Sequence, residues 1–221
     1  MYKENLIPIC YNRCGKNLKQ LKGIVIHYVS NPNTSAEANR SYFINNTRGA
    51  SSHDIIDLNG DVIHMIPYTE IAYHVGVPVP TFTPTKIVLC GSDNPNNYFI
   101  GIEMCHIDSS AKPTDIQKEA LINLCVDLCK QFNLTEKDLY LHNDICSKQC
   151  HLYYVNNRGE WDKVKTEVKN RISTPQIPIQ SNYDKAKAII EAKTSEPDGW
   201  IKLLDTIPNF AEFVLKIKGD M

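Results

Sequence analysis

Apolar and polar positions alternate in a way that marks the strands of this chain first. Residues 21–29, LKGIVIHYV, form a β-branched apolar run of the length a buried strand requires, with His27 near its C-terminal end. SSHDIIDLNGDVIHMIP reads as two strands joined at Asn59-Gly60, a pair that favours the backbone of a tight hairpin turn. NYFIGIEMCHI returns to strand character, and a further short strand ends just before His142. Helical patterns lie between these runs. Thr34 and Glu37 have capping-box spacing, so a helix is expected over about 35–46. Thr114 and Gln117 repeat that spacing at the start of TDIQKEALINLCVDLCKQFNL, whose Ile116, Ala120, Leu124 and Leu128 share one face. Cys125 and Cys129 flank that stripe in core-like surroundings and are read as buried filler. Residues 77–97, rich in Pro, Asn and Thr around a short KIVLC, are expected to form an irregular surface loop. The order strand, helix, hairpin, strand, helix describes an α/β domain: a central mixed β-sheet flanked by helices.

The pattern changes after WDKVKTEVKNRI. STPQIPIQSN has two prolines and no charge, which is linker chemistry. The chain is therefore divided into a main domain over 1–172, a linker over 173–182 and a small all-α C-terminal module over 183–221. Ile189, Ile190, Trp200, Leu203, Leu204, Phe210, Phe213 and Leu215 are too many apolar side chains for so short a segment to leave in water. They are expected to pack together, on the main domain, or in self-association through the C-terminal helices.

Charge narrows the partners. With 24 basic and 25 acidic residues in 221, the chain has no field to draw it to nucleic acid or an anionic membrane. MYKENLIPICYNRCGKN lacks the features of a secretory signal, and no stretch approaches a membrane span, so synthesis in the cytoplasm without insertion is expected. In that compartment the eight cysteines read as thiols, with a Cys10–Cys14 disulfide as the alternative if the protein works outside the cell.

The candidate chemistry sits in LHNDICSKQC, residues 141–150. A catalytic zinc keeps one position for water and takes three protein ligands, and imidazole with thiolate is a suitable set. His142 and Cys150 supply two, and His27, at a strand end, is a third candidate whose alternative is a satisfied core histidine. Cys146 and His151 are rival ligands, and either would close the site into a purely structural one.

VIHY at 25–28, SSHDIID at 51–57, AYHVG at 72–76, IGIEMC at 100–105 and His142-x7-Cys150 with Lys148 resemble, in the same order, the zinc-dependent N-acetylmuramoyl-L-alanine amidases of type 2. The resemblance covers about residues 1–172 and is strongest to phage endolysins of clostridial or bacillary hosts. It implies one Zn2+ per chain on His27, His142 and Cys150, with water as the fourth ligand. It implies Glu103 as the proton-transferring carboxylate, Lys148 as the cation facing the oxyanion, and His74 with Tyr73 and His53 along the substrate groove. The implied reaction is hydrolysis of the amide between N-acetylmuramic acid and L-alanine in bacterial peptidoglycan, after release to the wall through a holin. A host autolysin and a non-catalytic peptidoglycan-binding protein are the alternatives. Two positions depart from the family: Ser52 stands where some members have a catalytic tyrosine, which leaves Tyr28 as a substitute phenol, and His151 stands where proline usually follows the cysteine.

Overall fold

Six short strands are present, of which the central ones are rich in buried Val and Ile: β1 (Tyr2–Glu4), β2 (Gly23–Tyr28), β3 (Asp54–Ile56), β4 (Val62–His64), β5 (Phe99–Met104) and β6 (Leu139–Leu141). They form one sheet in the order β1-β4-β3-β5-β2-β6, parallel at every pairing except the β3–β4 hairpin. This is the mixed sheet expected. The computed structural model describes residues 1–76, 82–173, 186–187, 189–190 and 197–206. Gly60 closes the hairpin at φ 82°, a conformation that costs a residue with a Cβ.

Strand alternation sorts the interior into two faces. Ile24 and Ile26 of β2 and Ile100, Ile102 and Met104 of β5 point to α3 (Asp115–Phe132) and α5 (Arg158–Ser173), where they meet Leu121, Cys125, Trp161 and Val164. Val25 and Phe99 lie in a separate apolar cluster with Val75 and Ile145. His27, Gly101 and Glu103 share the alternation of those two residues and so belong to the second face.

Local chemistry explains where the helices differ from expectation. α1 (Ala36–Asn45) is capped by Ser35, whose hydroxyl accepts from Ala38 N, while Thr34 turns back to donate to Asn31 O. The cap therefore falls one residue later than expected, and the Thr34–Glu37 box does not form. The Thr114–Gln117 box is present, and its geometry draws Gln117 inward to donate from Nε2 to Cys105 O at 2.7 Å. Ile116 is consequently turned outward and is 62% exposed, so the buried stripe of α3 excludes it. Cys125 and Cys129 are buried in the core, as read. Within the expected loop, Thr83 and Pro84 start a helix, α2 (Pro84–Cys90): Thr83 Oγ1 accepts from Lys86 N, and proline suits the first helical position. Residues 77–81 of that loop lie outside the described residues.

The chain divides into two compact units, Met1–Ser173 and Thr174–Met221. In the second, a helix spans Pro197–Thr206, Ile190 is buried and Trp200 is 45% exposed. The expected burial of Leu203, Leu204, Phe210, Phe213 and Leu215 falls outside the described side chains. Among the described residues no helix is long and apolar enough to cross a membrane. Cys10 and Cys14 are free thiols.

Candidate metal centre

Sheet register brings the first two candidate ligands together. Ile26 of β2 pairs with Leu141 of β6, so the next residues along these parallel strands, His27 and His142, emerge side by side with ring centroids 4.7 Å apart. On the other side of β2, His27 pairs with Glu103 of β5. All three residues thus stand at the C-terminal ends of parallel strands, where open α/β sheets place their ligand sites.

A return loop supplies the third. α4 (His142–Cys146) ends at Ser147 in the left-handed conformation, with Ser147 N donating to Asn143 O. The chain then doubles back until Asn143 N donates to Cys150 O at 2.8 Å and Asn143 Nδ2 donates to Lys148 O at 3.0 Å. Seven intervening residues are what this one-turn helix and its reversal require, which is the structural content of the His142-x7-Cys150 interval.

His27, His142 and Cys150 offer donor atoms that all lie within 4.8 Å of one another, and all three residues are buried. His27 Nδ1 is 3.7 Å from Cys150 Sγ. Two ligands of a tetrahedral zinc with bonds of about 2.0–2.3 Å stand about 3.5 Å apart, a separation that the His27–Cys150 pair closely matches. Both ring nitrogens of His142 are buried and lack a hydrogen-bond partner. Buried polar atoms are rarely left so, and a cation held there would account for one of them. Burial is also the chief reason that the imidazoles are held neutral: His27 is driven well below its ordinary range, and His142 falls to about 3, with the Lys148 charge adding to both. Neutral imidazole is the form that ligates. Burial pushes the Cys150 thiol up to about 12, with the Glu103 charge adding to the rise. A divalent cation supplies the positive charge that would favour the thiolate.

The rival ligands stand elsewhere. Cys146 directs its thiol to Val75 O at 3.5 Å. His151 lies against Tyr28 and Tyr154, with ring centroids at 5.6 and 4.8 Å. Among the described residues neither joins the three-residue group.

Glu103 carries a buried Oε2 with no partner, and burial raises its carboxyl to about 7 against the lowering charge of Lys148. Lys148 is exposed at the rim, and its charge is felt by Glu103, His142 and His27. Ser52 is buried and donates to Asp54 O, so it cannot serve as the family tyrosine does. Tyr28 is half-buried, with its ring 5.3 Å from that of His106.

Two of the residues expected along the groove are turned inward. His53 has no exposed surface; its Nδ1 accepts from Gly101 N at 2.9 Å and its Nε2 lies 3.0 Å from Glu70 O. Burial holds it near 4, so it is a neutral internal ring without a free edge for substrate. His74 is 8% exposed and stands behind His27, with His74 Nδ1 3.0 Å from His27 Nε2. Tyr73, half-buried, is the residue of the three that retains exposure beyond His74.

A family model for N-acetylmuramoyl-L-alanine amidases matches residues 17–152. The chain belongs to this amidase family. The N-acetylmuramoyl-L-alanine amidase BlyA of Bacillus subtilis (strain 168) is 30% identical over 212 residues, which is 90% of this chain and 57% of the relative. The chain spans about half the length of the curated relatives it matches. Among solved structures, the catalytic domain of PlyG superposes with a TM-score of 0.63 at 20% identity, covering 80% of this chain and 99% of that domain. A mutant endolysin from Bacillus subtilis gives 0.61 at 22% identity, covering 76% of this chain and 98% of the other. These likenesses establish the fold of the amidase unit.

Proposed function

We propose that this member of the amidase family is a zinc-dependent peptidoglycan hydrolase that cleaves the amide between the lactyl group of N-acetylmuramic acid and L-alanine. The observation that carries the proposal is the convergence of His27, His142 and Cys150 beside a carboxyl whose buried oxygen has no partner. Zinc held by these three ligands would supply Lewis acidity and make water a competent nucleophile near neutral pH. The chain's own residues do the rest. Glu103 accepts a proton at Oε2 as water adds to the amide carbonyl, and returns it to the nitrogen as the C–N bond breaks. The products are a muramoyl carboxylate and the α-amine of alanine. A carboxyl poised near 7 is suited to both transfers. Lys148 holds a positive charge at the rim, where negative charge develops on the carbonyl oxygen. Tyr28 is the phenol on the His27 strand that can take the place of the tyrosine absent at Ser52, and Tyr73 lines the groove.

The relatives' names support the amidase reaction, and the endolysin among the structural matches is in keeping with the narrower reading of a phage or prophage endolysin; release through a holin belongs to that reading as part of the proposal. The C-terminal unit is then a wall-targeting or self-association module. Digestion of purified bacillary and clostridial walls tests the reaction: new N-terminal alanine without new reducing sugar ends is expected. New reducing ends, or neither product, would contradict it.

A further inference from the structure

Behind the proposed ligand His27 stands a second ring that the amidase chemistry itself does not use. Four observations fix it. His74 Nε2 is 3.0 Å from Phe99 O, and His74 Nδ1 is 3.0 Å from His27 Nε2. The backbone N–H groups of His74 and Val75 both donate to Asn96 Oδ1, at 3.0 and 2.8 Å. Beneath the ring lies Gly101, where an added Cβ would come within 2.5 Å of His74 Cγ and 2.7 Å of its Nδ1. The Gly101 N–H is in turn held by His53 Nδ1, and the His53 and His74 rings meet edge-on at 5.8 Å.

Hydrogen-bond direction then settles every proton in the row. A carbonyl only accepts, so His74 Nε2 must carry the hydrogen that meets Phe99 O. Neither ring has a carboxylate among its hydrogen-bond partners, and a neutral imidazole has a single N–H, so His74 Nδ1 is bare and can only accept. The 3.0 Å contact therefore requires the hydrogen on His27 Nε2. His27 Nδ1 is left with its lone pair free, and it is this atom that faces Cys150 Sγ at 3.7 Å.

We infer that His74 is a positioning residue that locks His27 in the Nε2–H tautomer and aims its Nδ1 lone pair at the metal, and that Gly101 is there because no larger residue leaves room for that ring. The inference rests on the zinc reading of the site, and it assigns His74 to the outer shell of the centre rather than to the substrate groove. Partners of this kind commonly change metal affinity 10–100-fold.

The full chain, labelled with 15N-histidine and freed of metal, provides the direct test. Two-bond proton–nitrogen spectra should show both His27 and His74 with protonated Nε2 and unprotonated Nδ1; an Nδ1–H on either ring overturns the inference. Zinc affinity by chelator competition is the second readout. His74→Phe keeps a ring without nitrogen and should bind zinc about 10–100-fold more weakly. His74→Asn retains an acceptor near the Nδ1 position and should recover most of that loss, whereas Gly101→Ala should weaken binding as His74→Phe does. Wild-type affinity in His74→Phe would overturn the inference. Should these variants fail to fold, the spectra of the unaltered chain still decide. A wild-type chain that takes up no zinc would sink the metal reading itself, while the tautomer measurement on metal-free protein stands apart from it.

Discussion

Glu103 shows most clearly what a single side chain contributes to this site. It is paired in register with His27, yet its outer oxygen is buried without a partner, a cost the fold accepts at the proposed proton-transfer position. Glu103→Gln preserves size and one hydrogen-bonding edge while removing the proton acceptor. It should retain the fold and full zinc content, yet lose about 10²–10⁴ in turnover on soluble muropeptide. Activity close to wild type would take Glu103 out of the mechanism and put Tyr28 under scrutiny. That His27, His142 and Cys150 come together was legible in the sequence, because strand ends and the x7 interval leave a linear trace. The inward turn of His53 and His74 was not. A histidine in a motif looks the same whether its edge faces a groove or the back of another ring, and only the contacts to Gly101, Phe99 and His27 separate the two. The one linear sign was Gly101, a glycine inside a strand, which signals close approach by another group.

Among the elements, the hairpin and α3 were readable because Asn59-Gly60 and the Thr114–Gln117 box are local devices whose effect does not depend on distant packing. α1 lies where the pattern predicts it, but its cap is Ser35 rather than Thr34, because two adjacent hydroxyl residues compete for the same role. α2 was missed for a different reason. Seven residues in a Pro- and Asn-rich setting carry too little periodicity to announce a helix, and this one takes its support from Thr83, which caps it and also donates to Asp144 O within α4, the helix that opens with His142. β1, three exposed residues at the start of the chain, gave no pattern at all and exists through its pairing with β4. Elements that depend on a neighbour in space were the ones the sequence concealed.

At the scale of the whole molecule, buried neutral histidines set the response to acid. Burial holds His53 near 4 and both His142 and His151 near 3, and drives His27 and His74 well below their ordinary range. In the unfolded chain each titrates near 6.5, so between that pH and the depressed values the unfolded state binds more protons, and stability falls as pH falls. Each such ring contributes a slope of up to about 1.4 kcal/mol per pH unit. Glu103, raised to about 7, and Asp54, also raised by burial, act in the opposite sense, but they are two carboxyls against five rings. Urea unfolding of the metal-free chain should therefore give a lower midpoint at pH 5.5 than at pH 7.5; an equal or higher midpoint would contradict the burial of these rings. The second unit, Thr174–Met221, poses a separate question. If it targets the wall, a chain ending at Ser173 should keep its zinc and its rate on soluble muropeptide but lyse intact walls more slowly, since tethering raises local concentration. Unchanged wall lysis would remove the targeting role.

The central claim is a three-ligand zinc centre built from two imidazoles and one thiolate, and zinc K-edge X-ray absorption on the full chain addresses it most directly. One zinc per chain is expected, with two nitrogen ligands at about 2.0–2.1 Å, a single sulfur at about 2.3 Å and one further light atom. Two sulfurs in the first shell would bring in Cys146 and close the site, and a shell without sulfur would exclude Cys150; either result contradicts the centre described here.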